Sequence, residues 1–528
     1  MSRASLLIAL PHGLNVSGVT AWAVRLASGL ASRGRAAGLI LHPEPEGQRR
    51  VEVRLPEAVR VFGPEGFGPL DDAGAGAMTG SYARAIGAMP GTVVLSPNLV
   101  AGCYAVAAGV SGEARVVGWA HSDNEYDARV LEHYAPMLGA AVAVSERLER
   151  RLSAGPLAEV LSRVPYGVEV PAACPARGSG GPPRLLYGGR LEHRQKRVLA
   201  LVRMSRLLTA RGVGHTLTIL GDGPARDEVA REIEGAPDCR LLGAVGPEGV
   251  RAALAAHDAL VLASRYEGLS VAMLEAMAAG CVPIVTRTES GALEAIADRE
   301  SGVVADVSPD ADEDEAARAL AEAVAWWAGR ASAEREAMAR RAHAVARERY
   351  SIERHLDAVE RIIDAVAAGP ARPWPRERPT GFVEGGSIPA DGAARMSAVL
   401  ASLAGRRVVI HGCGAHTRGL WSAIERGPAV VVGVVDDDRQ RQGTTMRGLP
   451  VVGPEGVWAL GATDVVISSW MHEGAIWARR RVYESRGLRV HRLYGVDHAA
   501  ARAGREARAA ATISSGPPAS RPSMSSPA

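Results

Sequence analysis

The stretch Ala263–Val285 reads A-S-R-Y-E-G-L-S-V-A-M-L-E-A-M-A-A-G-C-V-P-I-V and says more about the architecture than any other segment. The apolar run Ala259–Leu262 just before it predicts a buried strand. Ser270–Ala279 predicts a helix that opens on a serine N-cap and ends before Gly280, with Pro283 just beyond. A strand, a loop, a helix and a second strand in this order are the repeating unit of a parallel α/β sheet.

The same alternation extends along the chain in both directions. Predicted strands in the first third are Leu6–Leu10, Gly38–Leu41, Thr92–Leu95, Arg115–Trp119 and Ala141–Val144, with helices at Thr20–Ala31 and Leu99–Ala108. Further strands are predicted at Arg184–Tyr187, Thr216–Leu220, Arg240–Leu242 and Val282–Val285, with helices at Arg197–Ala210, Ala225–Glu234 and Pro247–Ala256. Long Ala/Glu/Arg-rich helices follow from Glu315 to Val366. The pattern predicts two tandem Rossmann-like, doubly wound parallel sheets.

Gly- and Pro-rich breaks divide the chain. We predict one Rossmann-like domain at 1–170, a second at 171–368 whose last helix packs back on the first, and a linker at 369–391. Strands at Val408–His411, Val430–Val435 and Asp464–Ser468 predict a third, smaller Rossmann-like α/β domain at 392–495. The Ala/Arg- and then Ser/Pro-rich residues 496–528 are expected to be disordered.

Composition limits the class of protein. The 528 residues contain 47% hydrophobic and 23% charged residues, as soluble globular proteins do, and the net charge of +3 gives no overall basic field of the kind that nucleic-acid binding needs. The five cysteines are dispersed and form no C-x-x-C pair, which argues against a zinc site or a disulfide framework. No apolar run is long enough for a signal peptide or a membrane span. We expect a cytoplasmic protein; contact with the inner face of the membrane stays open.

Two glutamates and a helix start suggest an anion site in the opening stretch. The helix after Glu267 and Gly268 presents backbone N–H groups and the positive end of its dipole, which suit a diphosphate. Glu267 precedes the helix and Glu275 lies inside it, so the two carboxylates can face one ligand at two places. The alternative is a dipole-stabilising glutamate followed by a solvated one.

Basic residues follow an earlier strand. Tyr187-Gly188-Gly189-Arg190 places an arginine at the carboxyl edge of the sheet, where open α/β sheets bind ligands. Lys196, the only lysine in the chain, comes six residues later. An ammonium and a guanidinium that converge on a diphosphate can stabilise a leaving group, although both could also lie on a solvated rim.

Further loops carry weaker signals. Gly18 joins the first strand to the first helix and could admit a phosphate, or could be an ordinary turn. Ile219-Leu220-Gly221-Asp222-Gly223-Pro224 is a strand followed by a Gly-rich turn. His121, in Trp119-Ala120-His121-Ser122-Asp123-Asn124, follows a strand and suits either a structural or a catalytic histidine.

Together these residues resemble glycosyltransferase family 4, a retaining family with the GT-B fold, over residues 5–365. The resemblance rests on Gly18, the His-x-Asp-Asn motif at His121, Pro165-Tyr166-Gly167-Val168, Gly-Gly-Arg with Lys196, Gly-Asp-Gly-Pro at Gly221, and Glu-x7-Glu at Glu267 and Glu275. One departure is Gln195-Lys196-Arg197, which replaces a frequent Lys-Gly pair and leaves the shape of that loop open.

The resemblance implies a role for each matched residue. Arg190 and Lys196 would hold the diphosphate of a nucleotide-sugar donor, with Gly18 and the backbone of Gly268, Leu269 and Ser270. Glu275 would bind the ribose, and the Gly243–Val245 turn, including Val245, would lie near the nucleobase. Glu267 would position the transferred sugar, with His121 close to the reaction centre. No metal or other cofactor is expected, and the acceptor would be a glycan or a lipid-linked molecule.

The third domain carries its own motif. Gly412-x-Gly414 follows a strand, and Asp436 lies where a dinucleotide fold places its ribose-binding acid, but the third glycine is missing. The domain resembles Rossmann-like domains found beside sugar-modifying enzymes. It could bind a protein partner, serve a structural role, or hold a second nucleotide, with NAD(P) disfavoured. The Asp436–Asp438 run ends a strand and is not read as a metal site.

Three functions stay open at this point. The first is a retaining glycosyltransferase. The second keeps the fold but acts as an epimerase or a phosphorylase. The third is an NAD(P)-dependent oxidoreductase centred on Gly412 and Gly414, for which no hydride-transfer site is evident.

Overall fold

The computed structural model describes residues 3–44, 53–64, 67–68, 70, 75–176, 181–288, 291–309, 311–375, 392–437, 441–469 and 473–494. The chain divides into two compact units, Met1–Ser387 and Ile388–Ala528. The first unit contains two sheets and the second contains one. The predicted tail at 496–528 and residues 376–391 of the predicted linker lie outside the described residues.

The amino-terminal half of the first unit alternates strands and helices. Its elements are β1 (Ser5–Leu10), α1 (Gly18–Ser32), β2 (Ala37–Leu41), β3 (Val59–Phe62), α2 (Ala75–Ala88), β4 (Val93–Ser96), α3 (Ala101–Gly109), β5 (Arg115–Ala120), α4 (Glu125–Tyr134), β6 (Leu138–Ala143), α5 (Glu146–Leu152) and β7 (Leu161–Arg163). The seven strands are parallel in the order β3-β2-β1-β4-β5-β6-β7. All six residues of β1 are buried, and its apolar run Leu6–Leu10 suits a sheet covered on both faces.

The second half of this unit repeats the plan. Its elements are β8 (Arg184–Gly188), α6 (Leu199–Ala210), β9 (Thr216–Leu220), α7 (Arg226–Ile233), β10 (Cys239–Gly243), α8 (Pro247–Ala256), β11 (Ala259–Leu262), α9 (Val271–Ala278), β12 (Val282–Thr286), α10 (Ala292–Ala295), β13 (Val303–Ala305), α11 (Glu313–Ala328), α12 (Ser332–Arg349) and α13 (Ile352–Ala368). Its six strands are parallel in the order β10-β9-β8-β11-β12-β13.

The chain crosses between the two halves twice at one place. Val168, which leaves the first half, bridges to Ser351 at the start of α13. A Cβ at Gly167 would lie 2.5 Å from the Cβ of His355, so only glycine lets the two crossings pack this closely. Beyond this point α13 packs against α1, β4, β5 and β6. Residues 369–375 stay on the same half, where the Trp374 amide donates to Ser111 Oγ at 2.7 Å.

The second unit contains one smaller sheet. Its elements are α14 (Gly392–Ser402), β14 (Arg407–His411), α15 (Ala415–Gly419), α16 (Trp421–Glu425), β15 (Val430–Val435), β16 (Thr445–Met446), β17 (Leu449–Val452), β18 (Asp464–Ile467), α17 (Glu473–Ala478), α18 (Arg481–Glu484) and β19 (Arg489–Arg492). The order is β16-β17-β15-β14-β18-β19, and only the β16–β17 hairpin is antiparallel among these described strands.

The predicted α/β class, with three Rossmann-like sheets, is confirmed. The sequence patterns missed the short strands β3, β7, β13, β16, β17 and β19, which lie at or near sheet edges and lack a long apolar run. Two predicted helices begin two residues later than expected, at Ala101 and Leu199, because Leu99 and Arg197 have positive φ angles of 64° and 45°. The strand predicted from Ala141 begins earlier, at Leu138.

Candidate active site

The carboxyl ends of the two sheets in the first unit border one cleft of about 2210 Å³. The loops after β1, β5, β8, β10 and β11 all reach it, because parallel strands end at the same edge of their sheet. The sequence-predicted residues that line the cleft are Gly18, His121, Arg190, Lys196, Val245, Glu267, Leu269, Ser270 and Glu275. Residues from distant parts of the sequence are therefore brought together at one place.

Glu267 and Lys196 form an ion pair inside this cleft through Oε1 and Nζ. Their side chains are only 12% and 19% exposed, so solvent screens the pair less than it would on the surface. Ser264 Oγ donates to the same carboxylate oxygen at 2.7 Å. Gln195 Nε2 donates to the carbonyl of Tyr266 at 3.0 Å, which joins the two loops a second time. The carboxylate and the ammonium are thus held in a fixed relation.

Arg197 explains how the loop accommodates the departure from the frequent Lys-Gly pair. Its backbone has the positive φ angle that a glycine would adopt easily, and its side chain is completely buried. The guanidinium donates to the carbonyls of Ala263 at 2.6 Å and Ser264 at 3.1 Å, at the start of the loop that carries Glu267. A third bond, of 3.2 Å, reaches the carbonyl of Ala311.

Arg190 extends into the cleft from the end of β8. Its carbonyl accepts a hydrogen bond of 2.8 Å from the hydroxyl of Tyr187, which fixes the backbone while the side chain is exposed to the cleft. Burial, and secondly the positive charge of Arg190, lower the pKa of His12 on the opposite wall. Arg190 thus exposes a guanidinium to the cleft, a group that suits an anionic ligand.

Gly268 lies where the two halves of the unit are in close contact at the site. A Cβ at this position would lie 2.0 Å from the carbonyl oxygen of His121, so any other residue would push the walls apart. The carbonyl of Gly268 also accepts from the amide of Gly291 at 2.8 Å. Leu269 beside it is buried, which anchors the loop to the core.

The ring of His121 is enclosed by protein. Nδ1 lies 2.6 Å from the hydroxyl of Tyr166, and Nε2 lies 2.7 Å from Asn98 Oδ1. The ring also stacks beside Trp119 and meets the edge of Trp22. Burial lowers the pKa of His121 to about 3, so the imidazole is neutral at physiological pH. Since both nitrogens are engaged, the ring holds the wall of the cleft in place.

Two helix N-termini meet beside the ion pair. The predicted N-cap is confirmed, since Ser270 Oγ accepts from the amide of Met273 at the start of α9. Gly18 is the first residue of α1, and a Cβ there would lie 3.6 Å from Val271, the first residue of α9. The positive ends of both helix dipoles therefore point at the same part of the cleft.

Glu275 forms an ion pair with Arg25, a residue of α1 that the sequence analysis missed. The bond joins Arg25 Nη2 to Glu275 Oε1 across the two halves of the unit. Helical spacing could have indicated this residue, because Arg25 lies two helical turns after Gly18 and therefore on the same face of α1.

Asp127 is a second residue of the cleft that the sequence did not indicate. It lies in the first turn of α4, with its amide bonded to Asn124 Oδ1 at 2.8 Å. Burial raises the pKa of this carboxyl to about 7, although Asn124, the Ser122 amide and Arg151 partly offset that rise. An aspartate in a cleft whose pKa lies near neutrality is suited to proton transfer.

Val245 lies in the turn between β10 and α8 and lines the same cleft as Arg190. The neighbouring loops are joined backbone to backbone: the Gly221 amide donates to the carbonyl of Gly243 at 2.8 Å. A Cβ at Gly221 would lie 1.8 Å from the carbonyl of Gly189, so this turn requires glycine.

The predicted residues of the second unit lie together at the end of β14. Gly412 has a φ of +125°, and a Cβ there would be 2.5 Å from the carbonyl of Ser468. Asp436 accepts a 2.7 Å bond from the amide of Cys413, inside the loop that Gly414 completes. The acid therefore binds the loop itself in this structure, and its use as a nucleotide ligand stays a prediction.

Within the described ranges, no helix combines the length and apolarity that crossing a bilayer requires. Over the same residues, no group of three or more His, Cys, Asp or Glu side chains is placed to bind a metal ion.

Part of the first unit matches a known protein family. Residues 182–326 match the family described as glycosyl transferases group 1, a span that contains Arg190, Lys196, Glu267 and Glu275. The chain is also 37% identical over 126 residues to glycogen synthase of Mycobacterium tuberculosis. That alignment covers 23% of this chain and 30% of the relative, so the chain spans less than a third of the protein that it matches.

Several solved structures share the fold at low sequence identity. The pneumococcal O-GlcNAc transferase GtfA in complex with UDP and GlcNAc superposes with a TM-score of 0.56 at 13% identity, over 70% of this chain and 100% of that one. Sucrose-phosphate synthase from Thermosynechococcus elongatus gives 0.55 at 15% identity, over 70% and 100%. Anabaena Alr3699/HepE in complex with UDP-glucose gives 0.52 at 15% identity, over 68% and 99%. The first unit has the GT-B glycosyltransferase fold.

Proposed function

We propose that this chain is a retaining glycosyltransferase that moves a sugar from a nucleoside-diphosphate sugar to a glycan or a lipid-linked acceptor. The observation that carries the proposal is the pair of Glu267 and Lys196, enclosed in the cleft beside two helix N-termini. An ammonium and helix N-termini suit a diphosphate, while a carboxylate at the same place suits sugar hydroxyls.

The proposed roles follow the arrangement of the cleft. Arg190 and Lys196 hold the diphosphate, together with Gly18 and the backbone of Gly268–Ser270. Glu275 binds the ribose, and the turn at Val245 lies by the nucleobase. When the diphosphate binds Lys196, the carboxylate of Glu267 leaves its ion pair with that lysine and binds the hydroxyls of the transferred sugar. His121 shapes the wall beside the anomeric carbon and stays neutral throughout.

The proposed reaction is a front-face displacement. The acceptor oxygen forms a bond to the anomeric carbon while the bond from that carbon to the phosphate oxygen breaks, and the electron pair leaves with the nucleoside diphosphate. The proton of the acceptor hydroxyl passes to the departing phosphate. Lys196, Arg190 and the helix dipoles stabilise the charge that develops there, so the proposal includes no metal or other cofactor.

Support for this class comes from the family match over residues 182–326 and from the relatives described above. The solved structures of GtfA and HepE are complexes with UDP and with UDP-glucose, which makes a uridine diphosphate donor the first to test. We further propose that the protein acts in the cytoplasm, in keeping with its five free cysteines. We also propose that the protein contacts a membrane peripherally and that its second unit binds a protein partner.

A ligand screen tests the donor site. The Tm is measured for wild type, for Lys196→Ala and for the control Arg341→Gln, which changes an exposed residue of α12. Each protein is heated with UDP, GDP, ADP, dTDP, CMP, NAD or NADP. A ligand at a hundred times its Kd adds about 2.7 kcal/mol of stability. We expect one nucleoside diphosphate to stabilise wild type and the control but not Lys196→Ala.

Turnover with the matching nucleotide sugar tests the reaction. We expect Glu267→Gln to bind the nucleotide and to lose transfer by about a hundredfold or more, as loss of a charged contact to the transition state should cause. Normal transfer by this variant would refute the assignment. Stabilisation by NAD or NADP alone, equal in wild type and Lys196→Ala, would instead place the reaction in the second unit.

A further inference from the structure

Helices α1 and α9 lie side by side across the cleft with their N-termini together. Arg25 extends from α1, seven residues after Gly18, and Glu275 extends from α9, four residues after Val271. Because side chains on a helix point toward its N-terminus, both groups are directed toward the end of the cleft where the helices meet. An arginine from one half of the unit thus reaches a carboxylate of the other.

The contact is enclosed. The side chains of Arg25 and Glu275 are 14% and 22% exposed. Arg25 Nη1 also lies 3.5 Å from the carbonyl of Gly167, at the point where the chain crosses between the halves. The charge of Arg25 contributes to the lowered pKa of His355, whose main cause is burial, so the guanidinium lies close to both crossings.

We propose that Arg25 is a nucleoside-positioning residue, which orients the Glu275 carboxylate so that residues from both halves together form the ribose site. This inference rests on the proposed function, since it concerns the donor that the cleft would take. Arg25 acts through Glu275 and not on the reacting atoms.

The acceptor capacity of a carboxylate makes this arrangement workable. An ionised carboxylate accepts about four hydrogen bonds, and Arg25 uses one position on Oε1. The remaining positions can accept the 2′- and 3′-hydroxyls of a ribose. The guanidinium restricts the rotation of the carboxylate, so less conformational freedom is lost when the nucleoside binds.

The position of the pair has a further consequence. Arg25 belongs to the amino-terminal half, whereas Glu275 belongs to the half that carries Lys196 and Glu267. The complete ribose site therefore exists only while the two halves keep the separation that this structure has. Removing Arg25 should weaken ribose recognition and leave diphosphate recognition, which uses Arg190 and Lys196, as it is.

Ligands with and without ribose hydroxyls separate this role from a structural one. Binding is measured by calorimetry for UDP, GDP and ADP, for their 2′,3′-dideoxy analogues and for inorganic diphosphate. The proteins are wild type, Arg25→Gln, Arg25→Lys and the control Arg33→Gln. Arg33 is matched because it ends the same helix and pairs with Asp357 and Glu360 of α13, not with Glu275.

We expect Arg25→Gln to weaken the preferred nucleoside diphosphate about tenfold, the size of one charge-assisted hydrogen bond. Its affinity for the dideoxy analogue and for inorganic diphosphate should match that of wild type. Arg25→Lys should recover part of the loss because it keeps the charge, and Arg33→Gln should bind as wild type does.

Two results would overturn the inference alone. One is unchanged or tighter binding of the nucleoside diphosphate by Arg25→Gln. The other is an equal loss for the ribose and dideoxy ligands, which would mean that Arg25 only supports the fold of the cleft. If no nucleoside diphosphate bound wild type, the proposed function would fail and the inference with it, so the two failures are distinguishable.

Discussion

Arg197 links the two loops that carry the proposed chemistry. Lys196 precedes it directly in the chain, while its guanidinium bonds the carbonyls of Ala263 and Ser264 in the loop of Glu267. Burial lowers the pKa of Arg197 to about 10, which leaves the group charged at physiological pH. A residue with a positive φ angle at a functional site is held there by such surrounding contacts.

Asp127 gives a prediction of pH dependence. Burial raises its pKa to about 7, above the value of about 3.9 in unfolded chains. Between these two pH values the folded protein holds a proton that the unfolded protein has released, so this carboxyl lowers the stability as the pH rises from about 4 to about 7, and the loss is constant above that range. Asp127→Asn removes the titration and keeps the shape. We expect its Tm to exceed that of wild type by about 3 °C at pH 8 and by only about 1 °C at pH 5.

Calorimetry of both proteins at several pH values checks this expectation. The lowered pKa values of His121 and His355 destabilise both proteins equally in acid, so they cancel in the difference. A difference in Tm that did not vary with pH would show that Asp127 does not titrate in this range.

Helix α13 is the element that ties the end of the first unit to its beginning. Leu356 lies so close to α1 that a Cβ at Gly29 would be 2.8 Å from its side chain. Arg35, which follows α1, is 2% exposed and pairs with Glu360 at 3.1 Å and with Asp364 at 2.9 Å. It also donates to the carbonyl of Ala4 at 3.1 Å. The apolar contact and the ion pairs together fix α13 on the first sheet.

Arg35→Gln should therefore destabilise the protein. The variant loses charged hydrogen bonds and leaves a buried carbonyl without its donor, and we expect a loss of about 2 kcal/mol in the free energy of unfolding. Urea denaturation measures this as a lower midpoint with an unchanged slope. Arg341→Gln, which removes an exposed arginine, should change the midpoint little. An unchanged midpoint for Arg35→Gln would show that the ion pairs of α13 contribute no net stability.

At the scale of the molecule, every described residue that lines the cleft belongs to the unit Met1–Ser387. The proposed donor site therefore needs no side chain from the second unit. The motif at Gly412 forms its own loop around Asp436, with separate contacts to Ser468.

We expect a chain of residues 1–387 to bind the preferred nucleoside diphosphate with the Kd of the full chain, within about a factor of two. The reason is that the ion pairs at Lys196 and Glu275 and both helix N-termini lie inside this unit. Residues 388–528 serve as the control and should not reproduce the Kd of the full chain for this ligand. Binding that required the second unit would contradict the assignment of the site to the cleft.

Much of the fold could be predicted because its signals are local. Unbroken apolar runs such as Ala259–Leu262 indicate strands wherever they occur, and Ser270 and Gly280 mark the ends of α9 through bonds and angles within a few residues. Short edge strands such as β7 were not predicted, because a strand of three residues is too short to show a hydrophobic periodicity that distinguishes it from a loop.

Local sequence alone was sufficient to place Arg190 at the carboxyl edge of a predicted parallel sheet, and Glu267 and Glu275 before and inside a predicted helix. Tertiary structure alone decided what each of them touches. The partner of Glu275 is Arg25, 250 residues away, and the enclosure of His121 and the raised pKa of Asp127 come from residues on several other elements. The reason is physical: burial and charge pairing depend on which distant segments approach each other, and no local pattern records that approach.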